Sequence, residues 1–169
     1  LVEGLVGKMV VGVSVGSEHT AVWTDAGELY TFGDDFSGQL GHGGINPESV
    51  PRLVQGELAG KKVAGVAAGS YHTVVFTEAG DLYTFGDGGD GRLGHGGTDD
   101  ESVPRLVGGL AGQRVVSATA GSLFTAVATE RGEGFYFGCF EGHTAELEYH
   151  SLLPKNICYR TSYNTVTYL

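Results

Sequence analysis

Three features of this chain predict an all-β protein, a partial β-propeller of four-stranded antiparallel blades. A 48-residue stretch occurs twice with 32 positions identical. Its apolar residues alternate with a period of two, the mark of half-buried strands. Glycine supplies 30 of 169 residues, about 18% against a usual ~7%, without the triplet period of a collagen.

The repeat organises everything else. Gly7 to Val54 aligns without a gap on Gly60 to Val107 at an offset of 53, and Gly112 to Gly138 forms a third, shorter copy at an offset of 52. The opening Leu1-Val-Glu-Gly-Leu-Val-Gly7 matches Leu106-Val-Gly-Gly-Leu-Ala-Gly112, so a piece of a longer array is expected.

Within the first unit, Val10–Val15 is the first candidate strand, His19–Thr24 the second and Glu28–Phe32 the third. Val50–Val54 is a short fourth, and Pro51, which has no N–H to donate, favours an edge. Asp25-Ala-Gly27 and Glu78-Ala-Gly80 read as tight hairpin turns. Asp34 to Pro47 reads as a long glycine-rich loop, and no segment of ten residues shows helical spacing. Four short strands per ~50 residues, repeated, make a propeller blade. A lone blade has two apolar faces, which stacked neighbours bury. Gly16-Ser17 and Gly69-Ser70 suit a place where backbones crowd, near a central axis.

Composition breaks near residue 140. Residues 1–140 hold 29 of the 30 glycines and 17 acidic against 8 basic side chains, net −9, while residues 141–169 hold Gly142 alone and a net −1. The repeats are therefore assigned to 1–140. Residues 141–169 are a divergent segment, either irregular or completing the last blade. Tyr149, Tyr159, Tyr163, Tyr168 and the run Thr161–Thr167 could supply a strand.

The elements Ala-Gly-Ser-Tyr-His72-Thr, Gly-Asp-Leu-Tyr-Thr-Phe-Gly86, Gly-Arg-Leu-Gly-His95-Gly-Gly and Ser-Val-Pro-Arg-Leu-Val107 recur in fixed order. Together they resemble the regulator of chromosome condensation repeat. The first two copies match along their whole length. The third matches to about Gly138, with Phe124 where His19 and His72 stand and Gly134 where a Leu is expected. The resemblance implies a propeller, seven-bladed in complete members. It also implies roles seen across the family: an exchange factor for a small nuclear GTPase, domains of HECT ubiquitin ligases, and an ultraviolet-B photoreceptor. The last needs clustered tryptophans, and Trp23 is the chain's one Trp.

Candidate chemistry is sparse, and no catalytic, cofactor or metal residue is assigned. His19 and His72 recur at one repeat position, each followed by Thr, and so read as a structural hydrogen bond tying strand to turn. His42 and His95 read the same way, with no Cys at zinc spacing nearby. Gly86-Asp-Gly-Gly-Asp-Gly91 satisfies a dinucleotide fingerprint formally, but Arg92-Leu-Gly-His-Gly-Gly cannot open the helix that phosphate binding requires. Gly56–Lys62 is one residue short of a P-loop. The acids Asp87, Asp90, Asp99, Asp100 and Glu101 lack the nonapeptide period of calcium repeats and read as solvated turns. No Ser-His-Asp arrangement or nucleophile elbow is present. Cys139 reads as a small buried hydrophobe, and two cysteines fit a reducing, intracellular compartment, cytoplasmic or nuclear.

Function is therefore sought in binding. Twenty acidic against ten basic side chains, net −10, argue against nucleic acid or anionic membrane and favour a protein partner with a basic surface. Positions that differ between otherwise fixed copies are the natural partner-facing ones. Asp35-Phe36-Ser37 becomes Gly88-Gly89-Asp90, beside the acids Asp34 and Asp87 of the same loops. Gln39 becomes Arg92, Ile45-Asn46-Pro47 becomes Thr98-Asp99-Asp100, and Glu18 becomes Tyr71 and then Leu123. The candidate binding loops are thus those of Asp34, Asp35, Phe36, Asp87, Asp90, Arg92, Asp99 and Asp100. The expected function is a non-catalytic protein-interaction scaffold, with a guanine-nucleotide exchange factor or the partner-binding part of a larger ubiquitin ligase as alternatives. Three blades leave two open faces, so self-association or pairing with further blades is expected as well.

Overall fold

The computed structural model describes residues 2–140 and the backbone of the strand His143–Ser151. Its strands form three four-stranded antiparallel sheets. The first holds β1 (Val10–Val15), β2 (His19–Thr24), β3 (Leu29–Gly33) and β4 (Glu48–Leu53), in that spatial order. The second repeats it with β5 (Val63–Ala68), β6 (His72–Thr77), β7 (Leu82–Gly86) and β8 (Glu101–Leu106). The third holds β9 (Val115–Ala120), β10 (Phe124–Thr129), β11 (Glu133–Phe140) and β12 (His143–Ser151). Among the described residues helix is confined to single 3₁₀ turns at Gly56–Leu58, Gly89–Gly91 and Gly108–Leu110. The fold is the all-β blade array expected, with strand ends displaced by one or two residues.

Blade three departs from the pattern. Its third and fourth strands run eight and nine residues, and Phe140 pairs directly with His143. In blades one and two a long glycine-rich loop stands at that place. The candidate strand at 161–167 and Tyr159, Tyr163 and Tyr168 lie outside the described residues.

The core sits between blades, not inside them. Ala21, Leu29, Val54 and Leu58 of blade one and its linker close on Val63, Val66, Val75, Tyr83 and Phe85 of blade two. Ala67, Val74, Leu82, Val107 and Leu110 close in the same way on Val115, Val127 and Phe137 of blade three. Leu58 and Leu110 come from the linkers that carry the chain from an outer strand to the next inner one. Burying apolar area here removes it from water on both blades at once, at roughly 25 cal/mol per Å².

Within a blade, a ring crosses a glycine. Trp23 pairs with Gly12 and Phe76 with Gly65 across the two inner strands, and each ring lies where the glycine's missing Cβ would stand. Blade three changes both partners together, to Ala128 opposite Ser117.

The Gly-Gln-Leu-Gly loop is explained by packing. Leu40 and Leu93 are fully buried. Gly41 follows at φ +77°, and a Cβ there would meet the blade-two ring of Phe85 at 2.7 Å. Gly94 stands against Phe137 in the same way, at 2.8 Å. Gly41→Ala therefore combines left-handed strain with overpacking and should lower unfolding stability by about 3 kcal/mol. Gly96→Ala, at φ +78° with nothing within 4 Å, should lower it by about 1 kcal/mol. Urea unfolding of the two variants checks the difference.

Candidate interaction rim

Antiparallel pairing sends the β1–β2 turn and the β3–β4 loop out at the same end of each sheet. The matching segments of blades two and three emerge there too, and the seams hold these ends together. Gly43 N–H of the first loop donates to Ser102 O at the start of β8 (2.8 Å), and Ser70 N–H donates to Gly121 O (3.4 Å). At the opposite rim, the turn carbonyls of Gly27 and Gly80 accept from Val63 N–H and Val115 N–H, each at 3.0 Å. Every seam is thus fastened at both rims.

The rim-side fastening is a relay through threonine. Thr73 Oγ1 donates its single proton to Gln39 O of blade one (2.7 Å) and lies 2.8 Å from His19 Nε2. The imidazole must therefore be the donor in that contact, which fixes the Nε2–H tautomer. His72 repeats the arrangement on Thr125 (2.9 Å), whose hydroxyl donates to Arg92 O (2.9 Å). The sequence suggested a bond from strand to turn. The structure instead sends it across to the following blade.

Both Nδ1 atoms are buried without a partner and press on Gly16 and Gly69. A second ring proton would have no acceptor there. Burial accordingly pushes His19 down to about 4 and His72 down to about 3.

A second relay works inside each blade. Thr31 Oγ1 donates to Leu40 O (2.6 Å) and accepts from His42 Nε2–H (3.0 Å); Thr84 does the same with Leu93 O (2.7 Å) and His95 (2.9 Å). Consecutive loop carbonyls, Gln39 and Leu40, are thus held by the next blade and by the loop's own blade. Among the described residues no group of three or more His, Cys, Asp or Glu is placed to hold a metal.

The candidate partner-facing residues divide. Asp34, Asp90, Asp99 and Asp100 are exposed, and Phe36 is 63% exposed. Asp100 Oδ1 also accepts from Gly88 N–H (2.9 Å). Asp87 is half-buried and holds the loop, accepting from Gly89 N–H (2.7 Å) and Arg92 (2.7 Å).

Two candidates do not face outward. Asp35 is 3% exposed; its Oδ1 accepts from Leu40 N–H (3.2 Å), its Oδ2 is buried without a partner, and burial pushes its pKa up. Arg92 is 4% exposed; its guanidinium reaches Gly89 O (2.8 Å), Asp87 (2.7 Å) and Ser122 O of blade three (3.2 Å). Both act inside the fold, and Arg92 spans the second seam.

Both rims are acidic, but the loop rim is the more negative. The loop rim carries Glu18, Asp34, Asp35, Asp87, Asp90, Asp99 and Asp100 against Arg92 alone: seven carboxylates to one guanidinium, net −6. Arg52 and Arg105, on the outer strands, are taken up by Glu48 and Glu101. The other bases of residues 1–140, namely Lys8, Lys61, Lys62, Arg114 and Arg131, stand at the opposite rim among eight carboxylates, net −3. Two rim positions that were only noted as variable, Ile45 and Tyr71, add exposed apolar surface among the acids.

Stacked four-stranded blades, seamed by repeated polar relays and presenting loops on one rim, define a propeller-type repeat protein. The chain belongs to the regulator of chromosome condensation (RCC1) repeat family, whose models match residues 26–76 and 79–128 and, for a second form of the repeat, 10–39 and 63–92. It is 42% identical over 145 residues to the human E3 ubiquitin-protein ligase HERC2, covering 82% of this chain and 3% of that protein. It is 41% identical over 127 residues to the dog X-linked retinitis pigmentosa GTPase regulator, covering 75% of this chain and 13% of that protein. The chain thus spans a small part of these relatives. Among solved structures, human WBSCR16 superposes with a TM-score of 0.74 at 30% identity, over 78% of this chain and 33% of its own. Yeast Prp20p superposes at 0.66 and 20% identity, over 79% and 34%, and shows the fold. Repeats of this family support a role in protein interaction.

The relay makes stability depend on acid. Unfolded histidine takes its proton near 6.5, whereas His19 and His72 resist until about 4 and about 3. Their contribution is complete above pH 6.5 and falls as pH drops towards the folded values, by about 1.4 kcal/mol per pH unit for each histidine. His42 and His95, also shifted down by burial, act in the same sense. Asp35, shifted up, opposes them within the carboxylate range. His72→Phe should lower stability at pH 7 by about 1–2 kcal/mol, the worth of the lost bond, and should also flatten the acid slope. Thermal melts at pH 7, 5 and 4 check both effects.

Proposed function

We propose that this chain is a non-catalytic interaction module that receives a basic protein partner on its acidic loop rim. The excess of negative charge at the loop rim carries this reading: six of the nine net negative charges of residues 1–140 lie there, with its single base buried. Like-signed loops held rigidly side by side raise the local concentration of an oppositely charged partner and speed its arrival. Phe36, Ile45 and Tyr71 supply the apolar contacts that bare charge lacks.

The similarity to HERC2 and to HERC5, also a ligase of that series, favours a closely allied reading. On it, the rim is the partner-binding part of a larger ubiquitin ligase. A guanine-nucleotide exchange factor is the alternative of a different kind. The two cysteines fit an intracellular setting, cytoplasmic or nuclear.

Two measurements separate these. Replacing Glu18, Asp34, Asp99 and Asp100 by their amides should weaken binding of a lysine- and arginine-rich polypeptide about tenfold and reduce its salt dependence. Four amide replacements at the opposite rim, Glu3, Asp25, Glu78 and Glu130, should leave it within about twofold. Equal losses from both sets would show that bulk charge, not the rim, does the binding. Accelerated nucleotide release from a small GTPase at micromolar chain would favour the exchange reading, and a flat trace would discard it.

A further inference from the structure

We propose that Thr98 is a phosphate-acceptor site for an acid-directed serine/threonine kinase, and that the phosphate added there deepens the negative charge of the loop rim. Kinases of that class read a carboxylate three residues after the hydroxyl, because a basic groove beside their cleft takes up the residues that follow the acceptor. Among the described residues three serine or threonine hydroxyls have an acid at that spacing: Thr31 before Asp34, Thr84 before Asp87, and Thr98 before Glu101. Thr31 and Thr84 are 0% exposed, and each hydroxyl is spent on a loop carbonyl, Leu40 O and Leu93 O. Thr98 is exposed, and among the described residues nothing bonds to its hydroxyl.

The surroundings suit entry into a kinase cleft. Gly96, Gly97, Thr98, Asp99 and Asp100 are all exposed and lie outside the strands. A Cβ on Gly96 or Gly97 would meet nothing within 4 Å, so a second protein can close around the backbone that leads into Thr98. Asp99 and Asp100 fill the two positions between the acceptor and Glu101, and the first base after it is Arg105. Glu101 pairs with Arg105 on the surface of β8. An exposed ion pair of that kind contributes about 0–1 kcal/mol, so a cation of the kinase can displace it. Blade one has Ile45-Asn46-Pro47-Glu48 at the same four positions, with no hydroxyl to take phosphate. Of the two equivalent loops, only that of blade two carries an acceptor.

In the transfer, Thr98 Oγ1 forms a bond to the γ-phosphorus of ATP as the bond from that phosphorus to the bridging oxygen breaks. ADP leaves with the electron pair, and the hydroxyl proton passes to the kinase's own base. The phosphate carries about −1.5 to −2 charges at neutral pH, which takes the loop rim from −6 to about −8. That charge is held in place. The Thr98-Asp99 backbone lies against the start of its own loop, where a Cβ on Gly88 would clash with Asp99 O and Gly88 N–H donates to Asp100 Oδ1 (2.9 Å). The phosphate thus joins Asp87 and Asp90 on one loop. The rim's one base, Arg92, is buried and already shared between those two acids. The acceptor site stands on exposure and spacing, while its effect on a basic partner rests on the acidic-rim reading above.

Incubation of the whole chain with ATP and a casein-phosphorylating, acid-directed kinase should add a single phosphate, mapped to Thr98 by peptide mass spectrometry. Thr98→Val should take up none, and Thr98→Ser should restore it. Glu101→Gln should slow the transfer about tenfold, the effect of losing a close charge pair. Glu48→Gln, the same change on blade one, should leave the rate within about twofold. A bare Thr98, equal labelling by an arginine-directed kinase, or labelling of Glu101→Gln at the native rate overturns the site. The phosphorylated chain should bind the lysine- and arginine-rich polypeptide about fivefold more tightly, with a steeper salt dependence. Unchanged binding by a chain that carries the phosphate overturns its effect on the rim. The amide variants of Glu18, Asp34, Asp99 and Asp100 decide separately whether that rim binds at all.

Discussion

A threonine hydroxyl has one proton to give and lone pairs with which to accept, and that asymmetry joins one blade to the next. Thr73 and Thr125 each spend the proton on a loop carbonyl of the preceding blade and take one from that blade's histidine. Three polar groups are satisfied in a site that water does not reach. The alternative, a buried carbonyl and imidazole without partners, is expensive on the scale of the whole protein's stability. The relay also demands a neutral histidine. A second ring proton would sit against Gly16 or Gly69, where Nδ1 is buried with no hydrogen-bond partner. The same contact therefore sets the position of the loop, the tautomer of the ring and the acid sensitivity of the seam.

The strands were legible because a period of two, repeated at a fixed spacing, admits little else. Val10–Val15 and His19–Thr24 carry the pattern that their structure obeys, and Asp25-Ala-Gly27 marks the turn between the next pair. The direction of the histidine bond was not legible. A repeated residue announces that each unit needs it, but not whether the need is met within the unit or by its neighbour. One signal was available. Thr125 persists where histidine has become Phe124, as a residue serving the preceding blade's histidine should. Blade three's last strand was harder, because His143–Ser151 arrives without the glycine-rich loop that announces β4 and β8.

Variation between copies misled at two positions for one physical reason. Gln39 and Arg92 differ in charge and size, yet each is buried and each holds its own loop. Gln39 donates to Asp34 O (3.0 Å) and accepts from Ser37 N–H (2.9 Å). Arg92 donates to Gly89 O and pairs with Asp87. Two chemical solutions to one structural demand look, in sequence, like freedom to face a partner. Asp35 is similar: its carboxylate replaces backbone partners for Leu40 N–H, while Asp87 does related work in blade two. Exposed variation survives at Phe36, Asp90 and Asp99, beside the unvaried but exposed Asp34, and Asp90 also reaches back to Arg92 (3.4 Å).

The seams and the rim are then one design. Seven carboxylates on adjacent loops repel one another, and loops free to move would spread them apart. Here the loop carbonyls at Gln39 and Arg92 are tied into the next blade, Gly43 is bonded to Ser102, and Arg92 neutralises part of the charge from beneath. The repulsion is held in place instead of relaxed. On the proposed reading, a partner that brings positive charge would relieve it, and would gain from relief that a flexible acidic tail of the same composition could not provide. Buried histidine at the seam and exposed aspartate at the rim thus serve the same end. The first holds neighbouring loops together, and on the proposed reading that rigidity is what would turn a row of like charges into a surface with a preferred partner.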